Sequence, residues 1–464
     1  MRPSLQGLIR QLEAAGELQR VAVPVRLEGE LATIVRRVSA GPAGGPALLF
    51  EQPGAAGLPV AANLFGSVRR MEAVLGARGT AHLGGAFEVL LETLPEVDLV
   101  SLGEQLNQHP ALISCRPVTV IDPPCREQAS KEVDLLQLPF PQNWPGDGAL
   151  AGTGRYITLG QVFTAAPDGS SPNCGIYRCQ IHDRRTMAIR WRHGSGADQH
   201  HQLFKTRKER MPIAIVLGGP PCLTLAAAWP LPPGLDELCF AGWLQGQPIA
   251  VTGCMHGPLQ VPADAELVLE GFAEPDETLL EGPFGNHTGR YAAVGSAARV
   301  TITRITRRNA PIIPITVVGP PPQEDCWMML GWERLLAALV RQLVPGVRDL
   351  CLPLAWVFRN SAVIALETSD PLQVRTIIRR LWQLPWFSTA RLLVLVDAAA
   401  VAPGDLLRVT WQVVNEADWQ TDLVADSTGA RLALDATRKQ PGELLEEGPI
   451  GRLVSERWKE YGLL

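Results

Sequence analysis

The chain lacks three features that would each indicate a particular class of protein. No run of about 18 consecutive apolar residues occurs in the sequence, so no segment has the length of a transmembrane helix. The start of the chain has leucines at helical spacing instead of the unbroken apolar core of a signal peptide. The 9 cysteines are odd in number and contain no CxxC pair, which argues against a disulfide framework or a zinc site. We therefore expect a cytoplasmic protein with reduced thiols and no membrane partner.

A strong excess of charge of one sign is also missing. The 464 residues include 42 Lys and Arg and 47 Asp and Glu, for a net charge of −5. Without a basic excess there is no general electrostatic attraction for nucleic acid or an anionic membrane, and neither is expected as a partner. No GxGxxG follows a predicted strand, which argues against a nicotinamide-binding domain. Hydrophobic residues make up 46% of the chain, as in a globular protein with large cores.

Three regions with different patterns follow one another along the chain. Strand and helix signals alternate in residues 1–112, which predicts an α/β domain. Short strand-like runs separated by turn residues dominate residues 113–318, which predicts a barrel or sandwich. Residues 319–440 return to a mixture of helices and strands, and residues 441–464 are predicted to form a tail helix that docks on a neighbouring subunit.

The segment NCGIYRCQIHDRRTMAIRWRHGSGADQHHQLF holds a dense group of polar and ionisable side chains. Alternation along a strand would place Arg178, Gln180 and His182 on one face. Arg190 and Arg192 would share a face of the next strand. Two interpretations remain open, namely a solvated sheet face and an anion site, because Arg offers a planar fork of donors to phosphate or carboxylate.

Only two helices are predicted in the central region, at residues 197–210 and 234–244. The first follows a Gly-Ser-Gly turn, and Asp198 is its predicted N-cap. Free backbone N–H groups at such a helix start suit a phosphate, although a short Gly-Ser-Gly is a weak signal.

A cation site is a further possibility in this region. His200 and His201 would point about 100° apart on a helix, so they would rarely bind the same metal ion. Asn173, His200 and Glu237 could form a nitrogen and oxygen site for a hard or borderline cation. Their spacing in the sequence is nearly uninformative.

The run EGPFGNHTGRY, residues 281–291, places an acid, an asparagine, a histidine and an arginine among glycines and a proline. Gly and Pro interrupt helices and central strands, so the run is expected to be a loop. It is either a plain surface turn or an active-site loop.

Together these stretches resemble the UbiD-like decarboxylases, which use prenylated FMN. EGPFGNHTGRY is similar to the acidic loop of the family, NCGIYRCQ to a strand, RWRHGSGA to a turn and GLDELCFAG to a helix. NLFGSVRRMEAVLG (63–76) and GARLALDATRKQPGE (429–443) also match, in the expected order. The resemblance implies a central split β-barrel of flavin-reductase type between two α/β domains, and a tail that helps to form a homodimer or higher homo-oligomer.

The resemblance also implies the cofactors and the residues that hold them. A divalent metal, usually Mn²⁺, would lie against the cofactor phosphate on Asn173, His200 and Glu237, and K⁺ is a second implied ion. A flavin prenyltransferase would supply the prenylated FMN. The positions that match cofactor-binding residues are Asn173, Ile176, Tyr177, Arg178, Arg190, Trp191, Arg192, Gly194, Ser195 and, as a weaker match, Arg431.

The implied reaction is the reversible, non-oxidative decarboxylation of a small aromatic or heteroaromatic carboxylic acid through a covalent substrate–flavin adduct. Arg178 and Glu281 match the family's arginine and first carboxylate, but the usual second carboxylate is Asn286 here. Asparagine cannot usefully exchange a proton near pH 7. In one hypothesis Glu281 transfers the proton alone and Asn286 binds substrate. In a second, His287 is the acid, and in a third the protein binds or transfers flavin without catalysis.

The substrate class rests on the same position. Asparagine there resembles the branch of the family that acts on heteroaromatic acids of the furan or pyrrole type. A 4-hydroxybenzoate-type decarboxylase of quinone biosynthesis and an ordinary flavin reductase are the alternatives. The segment PQEDCWMML (322–330) is expected to contribute to the pocket wall.

Overall fold

Four stretches of the chain make up the described structure. The computed structural model describes residues 3–54, 57–358, 360–438 and 448–462. The predicted domain boundary at residue 440, the start of the predicted tail and the last part of GARLALDATRKQPGE lie outside these residues.

The N-terminal region is a small mixed sheet with helices packed around it. Its elements are α1 (Leu5–Ala14), β1 (Leu18–Val21), α2 (Glu30–Ser39), β2 (Ala47–Phe50), β3 (Val60–Ala62), α3 (Val68–Leu75), α4 (Gly79–Glu92), α5 (Leu102–Gln108) and α6 (Pro110–Ile113). β1 is parallel to β2, and β3 is antiparallel to β2. A fourth strand, Ile313–Ile315, comes from the end of the central region and pairs parallel to β3. The predicted alternation of strands and helices is confirmed.

Helix α1 shows how the local sequence determines these elements. Leu5, Leu8, Ile9 and Leu12 recur at helical spacing, and all four are buried in the core. The hydroxyl of Ser4 caps the helix by accepting a hydrogen bond from the Gly7 N–H at 3.2 Å.

The three helices α4 to α6 were not predicted from the sequence. Helix α4 contains Gly79, Gly84 and Gly85, which weaken a helical pattern. At Gly84 the missing side chain has a packing role, because a Cβ there would lie 3.1 Å from the Arg334 carbonyl oxygen on the neighbouring helix. The glycine thus allows two helices to approach closely.

The central region is dominated by an antiparallel sheet of nine strands that curls into a half-barrel. Its elements are β4 (Val118–Thr119), β5 (Gln128–Ser130), β6 (Tyr156–Ile157), β7 (Gln161–Thr164), β8 (Asn173–Ile176), β9 (Cys179–Ile181), β10 (Thr186–Ile189), α7 (Gly196–Arg207), β11 (Met211–Gly218), α8 (Pro221–Ala228), α9 (Glu237–Gln245), β12 (Ala250–Gly253), β13 (Gln260–Pro262), β14 (Ala265–Glu281), β15 (Phe284–Gly285), β16 (Tyr291–Ala292), β17 (Gly295–Arg307) and β18 (Ile313–Ile315). The order in the sheet is β6-β9-β10-β17-β14-β11-β7-β8, and β5 pairs with β17.

The connection between β8 and β9 explains the curl of the sheet. These strands follow each other in the chain, yet β8 is at one end of the strand order and β9 is next to the other end. Only Tyr177 and Arg178 join them. Three residue steps span at most about 10 Å, so the two ends of the sheet must lie close together. Both residues belong to the set matched to the cofactor site.

The central region contains three helices in its described residues, whereas the sequence predicted two. The additional helix, α8, has the sequence PCLTLAAA and is almost entirely buried. A helix that is apolar on all sides lacks the polar face that produces a 3.6-residue pattern. The prediction of only two helices was therefore wrong.

Two details near α7 also differ from prediction. The N-cap is Ser195, whose hydroxyl accepts a hydrogen bond from the Asp198 N–H at 3.4 Å, so Asp198 lies in the first turn. Strand β10 ends at Ile189, and Arg190 and Arg192 therefore follow the strand instead of sharing a face of it. The chain leaves the sheet there to enter α7.

Part of the glycine-rich run is strand and not loop. Strand β14 is 17 residues long and continues to Glu281, which pairs with Gly295 of β17. Strands β15 and β16 then form a short hairpin, with the Asn286 turn (residues 286–290) at its tip. Glu281 is consequently fixed by the sheet, and Asn286 by a tight turn.

The C-terminal region is a second mixed sheet with helices. Its elements are α10 (Glu324–Leu343), β19 (Val347–Cys351), β20 (Ser361–Leu366), α11 (Pro371–Gln383), β21 (Leu392–Asp397), α12 (Leu406–Glu416), β22 (Leu423–Ala425), β23 (Leu432–Ala436) and α13 (Gly448–Glu456). The strand order is β19-β20-β21-β23-β22, with β20, β21 and β23 parallel. Helix α10 packs along α4, and one apolar core joins all three regions.

Short 3₁₀ turns and the tail complete the chain. Helix α13 and a following turn occupy most of the predicted tail helix. Among the described residues, no helix combines the length and the apolar character needed to cross a bilayer. The 3₁₀ turns are Pro42–Gly44, Gly76–Arg78, Pro124–Arg126, Leu135–Gln137, Leu354–Trp356, Pro385–Phe387 and Trp458–Tyr461.

Glu324, the first residue of α10, is a buried carboxyl that should make stability depend on pH. Its Oε1 accepts a hydrogen bond from the Phe65 N–H at 2.9 Å, and burial raises its pKa to about 7. The folded protein therefore holds a proton that the unfolded chain releases near pH 4.5. The contribution of this carboxyl to the free energy of unfolding is fully present below pH 4.5. It is lost as the pH rises through about 7, by on the order of 3 kcal/mol in total.

Glu324→Gln is expected to raise the melting temperature at pH 8.5 and to change it little at pH 5. The glutamine has no charge, and its carbonyl oxygen can still accept the hydrogen bond from Phe65. Thermal unfolding at both pH values measures the effect, with the exposed Glu209→Gln as the control. An equal shift of the melting temperature at the two pH values would contradict the assignment of the ionisation to Glu324.

Candidate active site

A buried carboxylate held by two arginines forms the centre of the site. Glu281 is fully buried at the end of β14. Arg178 donates two hydrogen bonds to it, from Nε to Oε1 at 2.7 Å and from Nη2 to Oε2 at 2.8 Å. Arg190 lies 3.6 Å from Oε2. A bidentate pair of this kind fixes the direction of the carboxylate.

Side chains in and next to β9 hold this end of β14 in place. The Gln180 Oε1 accepts a hydrogen bond from the Gly282 N–H at 2.9 Å. The His182 ring hydrogen-bonds to the backbone of Leu280, and burial lowers its pKa. Arg178, Gln180 and His182 thus contact three consecutive residues around Glu281, although only Gln180 lies within β9.

The three residues matched to the metal site also come together. The Thr164 hydroxyl is 2.9 Å from the His200 Nδ1 and 3.5 Å from the Asn173 Nδ2. Oε2 of Glu237 accepts a hydrogen bond from the Cys174 N–H at 3.1 Å, one residue along from Asn173. Burial raises the pKa of Glu237 to about 8.

The donor set is suitable for a borderline divalent cation. It offers an amide oxygen, an imidazole and a carboxylate, the mixture that Mn²⁺ accepts. Within the described residues no group of three or more His, Cys, Asp or Glu has a metal-binding arrangement. The set of Asn173, His200 and Glu237 falls outside that definition, because one of its three members is an asparagine. A Cβ at Gly196 would lie 2.1 Å from the Asn173 Oδ1, so glycine at that position leaves room for the amide.

An aromatic and polar surface lies next to these residues. Trp191 packs edge-on against Tyr177 with ring centroids 5.3 Å apart. Its Nε1 is buried and has no hydrogen-bond partner in the described part of the chain. Burial raises the pKa of Tyr177, which hydrogen-bonds with Ser195 and Asn173. Gly194, with φ +73°, turns the chain into the N-terminus of α7, and its N–H donates to Asp198 Oδ2 at 2.9 Å.

The other residues matched to the cofactor site are more scattered. Ile176 packs against the apolar core beside Tyr177, and Arg192 is exposed after β10. Arg431 lies in the C-terminal sheet, where its Nε donates to Asp426 Oδ2 at 2.9 Å and its guanidinium lies over the Trp382 ring. The polar contacts of Arg431 within the described residues stay in that region.

Asn286 stabilises its own turn through one side of its amide. Oδ1 accepts hydrogen bonds from the Thr288 N–H at 2.9 Å and from the Thr288 hydroxyl at 2.7 Å. The Asn286 N–H donates to the Arg290 carbonyl oxygen at 3.0 Å. Among the described residues Nδ2 has no acceptor. Asn286 therefore has two N–H donors available to a bound molecule.

A neighbouring turn clamps the hairpin that carries Asn286. The buried Asp147 accepts hydrogen bonds from the Gly285 N–H at 2.8 Å and the Trp144 N–H at 2.9 Å, and burial raises its pKa. The Gly146 N–H donates to the Tyr291 hydroxyl at 2.9 Å. A Cβ at Gly285 would lie 2.3 Å from the Trp144 ring, so the hairpin lies directly on that indole.

His287 points from the same hairpin toward the C-terminal region. Its Nε2 hydrogen-bonds with Asp325 Oδ2. Its ring also meets Phe358 edge-on, with centroids 5.4 Å apart at an interplanar angle of 89°. Asp325 belongs to PQEDCWMML, so this predicted pocket segment does reach the glycine-rich hairpin.

Sequence reasoning missed several residues that organise the site. They are joined to it by contacts between distant parts of the chain and belong to no pattern of local spacing. The only local signal was the turn composition of NWPGDG, which does not indicate what the turn contacts. The missed residues are Trp144, Asp147 and Thr164, whereas Asp325 lies in a segment that was predicted to contribute to the pocket wall.

Three family models match consecutive parts of the chain. They describe 3-octaprenyl-4-hydroxybenzoate carboxy-lyase (UbiD), with its N-terminal domain at residues 9–88, its Rift-related domain at 117–321 and its C-terminal domain at 326–455. Together the matches cover well over half of the sequence. An uncharacterised protein of Synechocystis sp. is 32% identical over 498 residues, covering 100% of this chain and 97% of that protein.

Solved structures match over almost the full length as well. An evolved dimeric form of the UbiD-class enzyme HmfF from Pelotomaculum thermopropionicum, in complex with prFMN, has a TM-score of 0.82 at 25% identity, covering 97% of this chain and 98% of that one. The vanillic acid decarboxylase of Sedimentibacter hydroxybenzoicus in its closed form has a TM-score of 0.84 at 24% identity over 100% of both chains, which shows a common fold. The predicted fold class, with a curled β half-barrel between α/β parts, is confirmed.

Proposed function

The chain belongs to the UbiD family of carboxy-lyases, and from this premise we propose that it catalyses the reversible, non-oxidative decarboxylation of an aromatic or heteroaromatic acid with prenylated FMN. The observation that carries the proposal is the fully buried Glu281 with two hydrogen bonds from Arg178. A plain surface turn does not require a buried carboxylate that accepts two hydrogen bonds from an arginine. A reaction that replaces CO₂ by a proton needs such a group.

The residues around Tyr177 fit a flavin phosphate and ring system. The unpartnered Trp191 Nε1 and the exposed Arg192 offer donors to an anionic cofactor. Ile176 and Tyr177 would line the ring, and Arg178 and Arg190 would lie at its substrate side. When bound, prenylated FMN supplies an electron sink for the charge that remains after CO₂ leaves. Arg431 is the least supported member of the set, because its contacts are made elsewhere.

Asn173, His200 and Glu237 would hold Mn²⁺ beside the cofactor phosphate. The Thr164 contact to Nδ1 leaves the His200 Nε2 as the ligating nitrogen. The raised pKa of Glu237 is consistent with a carboxylate that is ionised only when a cation is present. K⁺ is proposed as a second ion on family resemblance.

Proton transfer is assigned to Glu281 and Arg178. The bond between the carboxylate and the ring carbon breaks, its electron pair remains on carbon, and a proton takes the place of CO₂. Arg178 directs Glu281, which takes up a proton from solvent and delivers it to the carbon that has lost CO₂. The free Nδ2 of Asn286 would donate to an acceptor on the substrate, such as a ring oxygen or a second carboxylate of a furan- or pyrrole-type acid.

Two other functions each have one observation in their favour. Loss of the second carboxylate at Asn286 favours a protein that binds or transfers flavin without catalysis. The description of the matching family models favours a 4-hydroxybenzoate-type substrate of quinone biosynthesis. A flavin prenyltransferase as cofactor supplier and a homodimer or higher oligomer belong to the main proposal. The exposed apolar residues Ile450 and Leu453 of α13 support a subunit contact.

The test is a search for CO₂ release by the purified full-length protein. The ultraviolet–visible spectrum and mass of the bound cofactor are recorded first, followed by reconstitution with prenylated FMN, Mn²⁺ and K⁺. We expect CO₂ release from at least one heteroaromatic acid, and none when unmodified FMN replaces the prenylated form. Failure of every acid in a panel of furan, pyrrole and hydroxybenzoate carboxylates would favour the non-catalytic alternative.

A further inference from the structure

His287 occupies a position from which it can control Asn286. The two residues are adjacent in the Asn286 turn, and the turn is closed by hydrogen bonds from the Asn286 N–H to the Arg290 carbonyl oxygen and from the Gly289 N–H to the Asn286 carbonyl oxygen. The Asn286 side chain adds two more bonds to Thr288. A turn tied at so many points moves as a unit, so a force on His287 also displaces the Asn286 amide.

The partner of His287 lies in a different part of the chain. Asp325 is in the first turn of α10, where a carboxylate is favoured by the positive end of the helix dipole. Its Oδ2 hydrogen-bonds with the His287 Nε2. Both side chains are partly exposed, so they make this contact without being forced together by a sealed core.

A second contact joins the same imidazole to the C-terminal sheet. Phe358 lies in the connection between β19 and β20 and is 3% exposed. Its ring meets the His287 ring at an interplanar angle of 89°, the edge-to-face arrangement that aromatic pairs favour. One imidazole thus touches the start of α10 and the core of the C-terminal region while it projects from the central hairpin.

We propose that His287 is a positioning residue that forms a latch with Asp325 and Phe358 and so sets the location of the Asn286 amide in the substrate site. The hydrogen bond to Asp325 fixes the orientation of the imidazole, which is what a positioning role requires. In this arrangement Asn286 is correctly placed only while the C-terminal region is seated on the hairpin. The inference rests on the proposed function for its effect on substrate, but the latch itself can be observed without turnover.

The experiment compares His287→Gln, Asp325→Asn and the double variant in the full-length, cofactor-loaded protein. Hydrogen–deuterium exchange of the amides in residues 284–292 and 352–358 is measured, together with kcat and KM. Each single variant should speed exchange in both segments by about tenfold and raise KM more than it lowers kcat. The double variant should do no more than either single change, because both remove one contact.

Two further variants separate positioning from general damage. Asp325→Glu keeps the carboxylate and should recover most of the wild-type KM and exchange rate. His82→Gln changes an exposed histidine on α4 and should match the wild type. Unchanged exchange in 352–358 for both latch variants would overturn the proposal. So would a large loss of kcat in His287→Gln with wild-type kcat in Asp325→Asn, since that pattern identifies His287 as the acid. If no acid is turned over at all, the proposed function fails while the exchange data still decide whether the latch exists.

Discussion

Glu281→Gln is expected to lower kcat for CO₂ release by about 10²–10⁴-fold, the range over which a positioned acid–base group acts. Glutamine has nearly the same shape and can still accept a hydrogen bond from Arg178, so the end of β14 should keep its place. It cannot take up and deliver a proton. The loss should therefore appear in kcat, with the bound cofactor and its spectrum unchanged.

Another glutamate on the same strand provides a matched control. Glu277 also lies on β14 and pairs with an arginine, with its carboxylate 2.5 Å from the Arg299 Nη1, but both side chains are exposed. An exposed pair contributes little to stability, so Glu277→Gln should behave as wild type in kcat and in melting temperature. CO₂ release measured under saturating acid compares the two variants. Wild-type kcat in Glu281→Gln would remove Glu281 from the proposed mechanism.

The structure separates two kinds of sequence signal. Two-residue alternation correctly predicted that Arg178 and Gln180 point the same way, since both contact the end of β14, although Arg178 lies just before β9. The contacts of Asp147 with Gly285 and of Asp325 with His287 join residues 138 and 38 positions apart. No local pattern encodes such distances, so these residues could be found only in the folded chain.

Helix prediction failed for a related physical reason. Amphipathic periodicity detects a helix with one face toward water, as α1 has, and not one surrounded by core, as α8 is. Gly84 in α4 weakened a helical signal although its role is close packing against α10. The fold class was nevertheless predictable, because it depends on the succession of regional patterns and not on each element.

The candidate metal residues illustrate what resemblance adds to local chemistry. Asn173, His200 and Glu237 are spread over 65 residues, and their spacing carries almost no information. The structure brings them together because β8, α7 and α9 meet at the edge of the half-barrel. Thr164, which joins two of them, belongs to no motif and was found only by its contacts. Their role as ligands stays a prediction.

Asn286→Asp is the change expected to alter substrate choice most. Aspartate retains an oxygen for the two hydrogen bonds from Thr288, so the Asn286 turn should survive. The substitution removes the N–H donors of Nδ2 and adds a negative charge at the tip of the hairpin. An acid with an acceptor opposite Asn286, such as a furan or pyrrole dicarboxylate, should lose about 10²-fold in kcat/KM, because an acceptor then faces a carboxylate.

Asn286→Asp should favour acids that carry a hydrogen-bond donor, instead of an acceptor, opposite this residue. An aromatic acid with a hydroxyl at that place could donate to the new carboxylate and should gain about tenfold in kcat/KM.

Asn309→Asp is the matched control, because the exposed Asn309 Oδ1 also accepts a hydrogen bond, from the Gln128 Nε2 at 3.0 Å. Competition assays with both acids in one mixture measure the ratio directly. An equal change for the two acids would mean that Asn286 acts through proton transfer or folding and does not contact the substrate. A reversal of preference would identify its amide as the group that selects the acid, and would explain why this chain can lack the second carboxylate and remain a decarboxylase.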